Sequence, residues 1–257
     1  MPETANPVRP PRGLAVVAAL FVAVVVLPGA IGIASQITRT TEVKQSTITP
    51  LAQRIDVTAR HGDVTITPST DGNVTVRTTY RYGVGDPRLV EESTATGVVL
   101  DSRCDDVLDT ECNIDYAISV PPSFTVAVET SGEIDARGLT GLVTLETGAD
   151  VRLAELSGPI DIRGTSGEVI GTELRSEQVS VETPGDVRLQ LVAPPRTLLA
   201  DTRHGEVTLA VPSSVGYRVN ADSESGEESI EVPTDPASER TIRVTSNSGD
   251  IRITPTP

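Results

Sequence analysis

Two histidines have the neighbours that suggest chemistry in this chain of 257 residues. His204 lies in "TRHGEVTL" and His61 in "ARHGDVTI", and the sequence contains no other histidine. A histidine between an arginine and a Gly-acid pair suggests a phosphate-accepting nucleophile whose arginine holds the phosphate. That chemistry also requires the second histidine and further Arg and Glu side chains around one phosphate. The elements that carry the two motifs therefore decide whether they can work together.

The sequence pattern around the two motifs indicates β-strands. From Phe124 onward one pattern recurs, in which alternating apolar residues are followed by a few polar residues, a glycine, an acid and a new alternation, as in "VAVETSGEIDA", "VSVETPGDVRL" and "IRVTSNSGDIRI". Alternation with a period of two places apolar side chains such as Val126 and Val128 on one face of a strand. No helical pattern interrupts it from Arg39 onward. We therefore predict an all-β chain.

The recurring glycine marks a corner turn between two strands. Aligning the segments places these residues at corners: Gly62, Gly132, Ala149, Gly167, Gly185, Gly205, Gly226 and Gly249. From Gly132 onward, successive corners are 17 to 23 residues apart. A unit of two strands and two turns is too small to bury its own apolar face, so it gains a core by stacking on its neighbours. The predicted fold is a single-stack β-solenoid, similar to a β-helix.

This alignment gives the histidines another interpretation. Both occupy the position just before a corner glycine, where the sibling segments have Ser131, Gly148, Ser166, Pro184, Ser225 or Ser248. Each motif is followed by an alternating strand, whereas a histidine phosphatase carries its Arg-His-Gly between a buried strand and a helix. We therefore predict no catalytic residue, no cofactor and no enzymatic activity.

Acids and arginines share the outward face of several segments. "GDVRL" and "GDIRI" carry an acid and, two residues later, an arginine. On stacked strands Asp150, Asp186 and Asp250 are expected to meet Arg152, Arg188 or Arg252 of a neighbour, and such exposed pairs contribute about 0–1 kcal/mol each.

Two cysteines flank an acidic loop. Cys104 and Cys112 lie in "DSRCDDVLDTECNID" between two strand-like segments, and we predict a disulfide that closes this hairpin. The acids of the stretch offer oxygen ligands for Ca²⁺, but they lack the glycine and terminal Glu of an EF-hand loop. Without a nearby histidine the two cysteines make a poor zinc site. No metal site is predicted.

The N-terminal segment has a different composition. Arg9 and Arg12 precede an uncharged stretch, Gly13 to Ala34, that as a helix would rise about 33 Å. We predict a cytoplasmic tail (1–12), a transmembrane helix (13–35), a linker or first strand (36–50) and an extracytoplasmic β-repeat domain (51–257). A cleaved signal peptide that releases the domain is the alternative, because Pro28-Gly29 and small residues end the apolar stretch.

The net charge of −15 excludes nucleic acid as a partner and leaves cations or a basic partner as the charge-matched ligands. An envelope or surface protein is the expected partner. The sequence sets no oligomeric state.

The repeated corners resemble a known family. "IDVTARHGDVTITPSTDGNVTVRTTY" and "YAISVPPSFTVAVETSGEIDARGLTGLVTLETGADVRL" are similar to the bacterial putative-adhesin family of β-strand repeats, also described as toast-rack-like, over Leu51 to Pro255. The resemblance implies the fold and, as an expected function, a membrane-anchored surface display or adhesin-like interaction module. The alternatives are an accessory role in envelope-stress sensing or response and a carbohydrate-active β-helix enzyme.

Overall fold

The computed structural model describes residues 40–82, 87–104 and 112–256. Within these residues it has strands and no helix, so the prediction of an all-β chain is confirmed. The strands are β1 (Thr40–Ile48), β2 (Arg54–Ala59), β3 (Val64–Pro68), β4 (Val74–Tyr82), β5 (Arg88–Thr94), β6 (Gly97–Arg103), β7 (Asn113–Val120), β8 (Thr125–Thr130), β9 (Ile134–Arg137), β10 (Val143–Thr147), β11 (Val151–Ala154), β12 (Ile160–Gly164), β13 (Val169–Leu174), β14 (Gln178–Thr183), β15 (Val187–Leu191), β16 (Thr197–Thr202), β17 (Val207–Val211), β18 (Arg218–Ser223), β19 (Glu228–Ile230), β20 (Thr241–Ser246) and β21 (Ile251–Pro255).

The strands form two facing sheets. Sheet I has the order β1-β4-β7-β3-β9-β11-β13-β15-β17-β21-β19, and sheet II has the order β18-β20-β16-β14-β12-β10-β8-β2-β6-β5. From β6 onward the chain alternates between the sheets, so that one strand of sheet II, a corner and one strand of sheet I make a rung. Equivalent strands of neighbouring rungs pair in parallel, as Val143 of β10 pairs with Ile160 of β12.

Rungs lie in chain order only in the middle of the stack. From β8 to β17 each rung lies on the one before it in sequence. At the first end, the β6–β7 rung lies outside the β2–β3 rung, and β1 and β5 add antiparallel edges. At the other end, the β20–β21 rung lies between β16–β17 and β18–β19. The expectation that repeats stack on their sequence neighbours therefore fails at both ends.

The core is a thin apolar layer between the sheets. Each interior strand buries every second side chain, such as Val126 and Val128 on β8 or Val187, Leu189 and Leu191 on β15. A fully buried Val, Leu or Ile contributes about 1.5–3 kcal/mol to the stability of the fold. A rung has only about four such residues, so it is stable only when it packs on neighbouring rungs. The outward residues of the same strands are mostly polar and form the two outer faces of the stack.

The predicted tail (1–12) and membrane segment (13–35) lie outside the described residues. The part of the chain that the structure describes contains no helix long and apolar enough to cross a membrane. Strand β1 falls within the range predicted as a linker or first strand, 36–50.

Candidate functional site: the corner column and the outer faces

The predicted corner residues lie in one column along the stack. A Cβ added at Gly185 would lie 2.0 Å from the carbonyl oxygen of Gly167, and one at Gly249 would lie 1.8 Å from that of Gly205. The backbones of successive rungs therefore touch at the corner, and a side chain there would push them apart. Ala149 is the exception, since it occupies the corner of the β10–β11 rung.

A hydroxyl joins each of these corners to the next, except between Ala149 and Gly167, where Gly164 takes the place of the hydroxyl residue. Thr202 Oγ1 donates to the carbonyl oxygen of Gly185 at 2.8 Å and accepts from the N–H of Gly205 at 3.1 Å. The same pair of bonds recurs at Thr130, Thr147, Thr183, Ser223 and Ser246. Backbone groups that would be left without partners at the turn are thus satisfied. This column positions the charged residues that follow each corner.

Charges along the corner edge of sheet I are arranged in pairs. Asp186 Oδ1 accepts the backbone N–H of Glu206 in the next rung at 2.9 Å, and Asp150 accepts that of Glu168 at 2.9 Å. Arg188 forms ion pairs with Asp186 of its own rung, at 3.0 Å, and with Glu168 of the preceding rung. Arg152 pairs in the same way with Asp150 and Glu133, and Arg252 pairs with Glu206 at 3.4 Å. The inter-rung partner of each arginine is thus a Glu, and the expected pairing with the Asp of a neighbouring rung is corrected.

Sheet II carries a different charge pattern on its outer face. Glu129, Glu146, Arg163, Glu182 and Asp201 lie side by side in register on five adjacent strands, β8 to β16. At about 4.8 Å per strand the row extends about 19 Å. Arg163 pairs with Asp161 at 3.3 Å. Within the described part of the chain, the four carboxylates have neither an ion pair nor a side-chain hydrogen bond. We call these four, Glu129, Glu146, Glu182 and Asp201, the carboxylate row.

An open groove lies over the middle of the row. It encloses ≈ 330 Å³ and is lined by Glu146, Glu182 and Asp201 together with Arg163 and Arg203. The lining also includes Gly164, Thr165, Thr183 and Pro184, so the groove is bordered by charged residues and by residues of the corner turns.

The structure separates the two histidines. His61 follows β2 and His204 follows β16, which are five strands apart in sheet II, about 24 Å. Both side chains are exposed, and the Nδ1 atom of His204 lies 3.2 Å from the Ser248 hydroxyl of the next rung. Two histidines so far apart cannot close around one phosphate.

Cys104 and Cys112 form a disulfide with 6.1 Å between their Cα atoms. Most of the acidic loop between them, 105–111, lies outside the described residues. Among the residues that are described, no group of three or more His, Cys, Asp or Glu side chains is arranged to hold a metal ion.

Sequence reasoning missed the carboxylate row. It depends on the register of five strands, and the sequence shows each acid only within its own segment. One signal was present in the sequence. In four of the five segments an acid directly precedes the threonine of the corner, as in "VETS", "LETG", "VETP" and "ADTR".

Stacked two-strand rungs joined by a corner column define a β-solenoid-like class of protein. Residues 128–254 match the family model Toastrack DUF4097, so the resemblance is confirmed over this segment. No curated protein matches the chain.

Two solved structures are similar to this chain. One, described as a putative adhesin from Bacteroides fragilis NCTC 9343, has 14% identity and a TM-score of 0.52, and the match covers 83% of this chain and 97% of that one. The other is described as a putative cell adhesion protein from Clostridium sporogenes ATCC 15579. It has 13% identity and a TM-score of 0.36, and the match covers 84% of this chain and 100% of that one.

Proposed function

We propose that this protein is a membrane-tethered, non-enzymatic display module of the cell envelope, which binds a basic segment of an envelope or surface protein along the carboxylate row. The difference between the two faces carries the proposal. On the corner edge of sheet I, Arg188 and Arg252 form ion pairs with acids of their own or the preceding rung, whereas the four carboxylates of the row form no ion pair among the described residues. Carboxylates without ion pairs favour a partner of opposite charge.

The geometry suits an extended partner. The carboxylates form two adjacent pairs, Glu129–Glu146 and Glu182–Asp201, on either side of Arg163 along about 19 Å, and basic side chains of an extended segment can reach both pairs at once. Because the row is exposed, binding is expected to be fast, salt-dependent and modest per contact. The adhesin-type descriptions of the two solved structures support a surface role.

Crosslinking and pull-down from intact cells test the proposal. The row variant combines Glu129→Gln, Glu146→Gln, Glu182→Gln and Asp201→Asn. The matched control makes the same charge change on sheet I with Glu133→Gln, Glu168→Gln, Glu206→Gln and Glu227→Gln. We expect the unmodified chain and the control to recover the same partner, and the row variant to lose it. Recovery of no envelope partner, or equal loss in both variants, would refute the proposal.

Cell fractionation tests the tether separately. The full chain is expected in the membrane fraction, and a chain that begins at residue 36 is expected in the soluble fraction. Identical fractionation of the two chains would contradict the tether and leave the carboxylate row to be judged on binding alone.

A further inference from the structure

Strand β1 is attached to the stack by polar contacts. Its inward positions are Glu42, Lys44, Ser46 and Ile48, and none of its nine residues is buried. The neighbouring β4 places Val74, Val76 and Thr78 inward, all of them fully buried. Strand β1 therefore contributes little to the apolar core that holds the interior strands.

Besides its backbone pairing with β4, β1 is held by polar contacts of Glu42, Lys44 and Ser46 and by Ile48, which packs against the core. The carboxylate of Glu42 accepts hydrogen bonds from the hydroxyls of Tyr80 at 2.7 Å and Tyr82 at 2.8 Å. These bonds lower the pKa of Glu42 and keep it charged. Across the core, the carboxylate of Glu91 on β5 accepts from Ser46 at 2.8 Å and pairs with Lys44 at 3.1 Å.

Behind β1 lies a cluster of buried polar atoms. Thr78 Oγ1 and Glu91 Oε1 have no hydrogen-bond partner among the described residues, and the hydroxyls of Ser102 and Tyr116 interact only with each other. Thr78 opposes Lys44 on one side and Tyr116 on the other, so the three lie in one row of sheet I that faces Glu91 and Ser102 of sheet II. Thr78, Ser102 and Tyr116 are each at most 2% exposed.

We propose that β1 is a detachable strap, which separates from β4 as a unit while the other strands stay stacked. Separation of β1 breaks few apolar contacts. It exposes to water the Lys44–Glu91 pair and the nearest hydroxyl without a hydrogen-bond partner, that of Thr78. Unpaired buried polar groups destabilise the closed state, so their hydration offsets part of the loss of backbone hydrogen bonds. The proposal rests on the contacts described above and not on the proposed tether or partner.

The strap has a mechanical consequence. Strand β1 is the first strand after the predicted membrane segment, so a pull on that segment acts on β1 before it reaches the rungs. The strap would then yield first and leave the carboxylate row intact.

Thiol labelling of the full, disulfide-intact chain tests the strap. Thr78→Cys places a thiol behind β1, and Ala200→Cys places an equally buried thiol in the middle of the stack on β16. Under native conditions we expect position 78 to react at least about tenfold faster than position 200, because local opening is easier than global unfolding. Adding Lys44→Leu and Glu91→Leu to Thr78→Cys replaces the polar contact by an apolar one and is expected to slow labelling at position 78.

Equal rates at positions 78 and 200 would overturn the proposal, since both thiols would then become exposed only by global unfolding. An unchanged rate at position 78 in the Leu pair would also overturn it. Hydrogen exchange of the unmodified chain gives a check that needs no variant. Amides of residues 40–48 are expected to exchange faster than those of β10, and equal protection of both strands would contradict the strap.

Discussion

Replacing Thr202 by valine removes one hydroxyl from the corner column while keeping the shape and the β-branching of the side chain. Thr202 is 1% exposed, and its hydroxyl joins the carbonyl oxygen of Gly185 to the N–H of Gly205. Valine offers neither a donor nor an acceptor, so both backbone groups lose this partner. The substitution isolates the contribution of one corner.

The expected loss follows from burial. Gly205 is buried, and a buried backbone group left without a partner costs about 1–3 kcal/mol. We therefore expect the free energy of unfolding to fall by about 2 kcal/mol. For a domain of about 200 residues this corresponds to a decrease in Tm of about 4–8 °C, measured by calorimetry and checked by urea denaturation.

Thr78→Val is the matched control. Thr78 is fully buried like Thr202, but its hydroxyl has no hydrogen-bond partner within the described residues. Removing this hydroxyl relieves a desolvation cost, so we expect Tm to stay the same or to rise. Equal decreases in the two variants would refute the view that the corner hydroxyls act through their hydrogen bonds.

Three further predictions concern stability. Gly185→Ala should lower the free energy of unfolding by about 2–3 kcal/mol, because its Cβ would lie 2.0 Å from a carbonyl oxygen, whereas Gly72→Ala, with open space around it, should change little in urea denaturation. Burial raises the pKa of Tyr116 to about 12, so the folded state keeps a proton that the unfolded state releases from about pH 10. Stability should therefore fall by about 2–3 kcal/mol between these pH values, and urea denaturation of Tyr116→Phe should lack this component. Replacing His61 and His204 together by serine, the residue at several sibling corners, should leave Tm and its pH dependence between about pH 5 and 8 unchanged.

The sequence predicted the interior of the stack because one rule repeats there. An apolar residue at every second position and a glycine at the corner are sufficient to place Val187 and Leu189 inside and Gly185 against its neighbour. Both features are local, so each segment shows them without knowledge of its neighbours.

Features that depend on which rungs are adjacent were not predicted. The sequence shows Asp150 two residues from Arg152, which suggested an Asp–Arg pair between rungs. In the structure the short Asp side chain accepts a backbone N–H of the following rung, and the longer Glu133 reaches the arginine. The polar interior behind β1 depends likewise on Thr78 and Glu91, which lie in different sheets.

One signal in the sequence does encode the order of the rungs. In chain order the acids that follow the corners are Asp63, Glu133, Asp150, Glu168, Asp186, Glu206, Glu227 and Asp250. Asp and Glu alternate until the last two. In space the β20–β21 rung lies before β18–β19, which places Asp250 between Glu206 and Glu227 and restores the alternation.

The alternation has a physical cause that explains why the last two rungs exchange places. The carboxylate of Asp250 accepts the backbone N–H of Glu227 in the following rung at 2.9 Å, and Arg252 pairs with Glu206 of the preceding rung. If the rung of Glu227 lay directly on that of Glu206, two Glu side chains would be neighbours and Arg252 would lie one strand spacing, about 4.8 Å, further away. Asp250 would also lie at the open end, with no following N–H to accept. A terminal rung that carries Glu leaves no carboxylate without its N–H partner. Among the described corners, the Glu carboxylates accept no backbone N–H from the following rung. The rung order at this end is therefore the one that satisfies every Asp of the column from Asp150 onward.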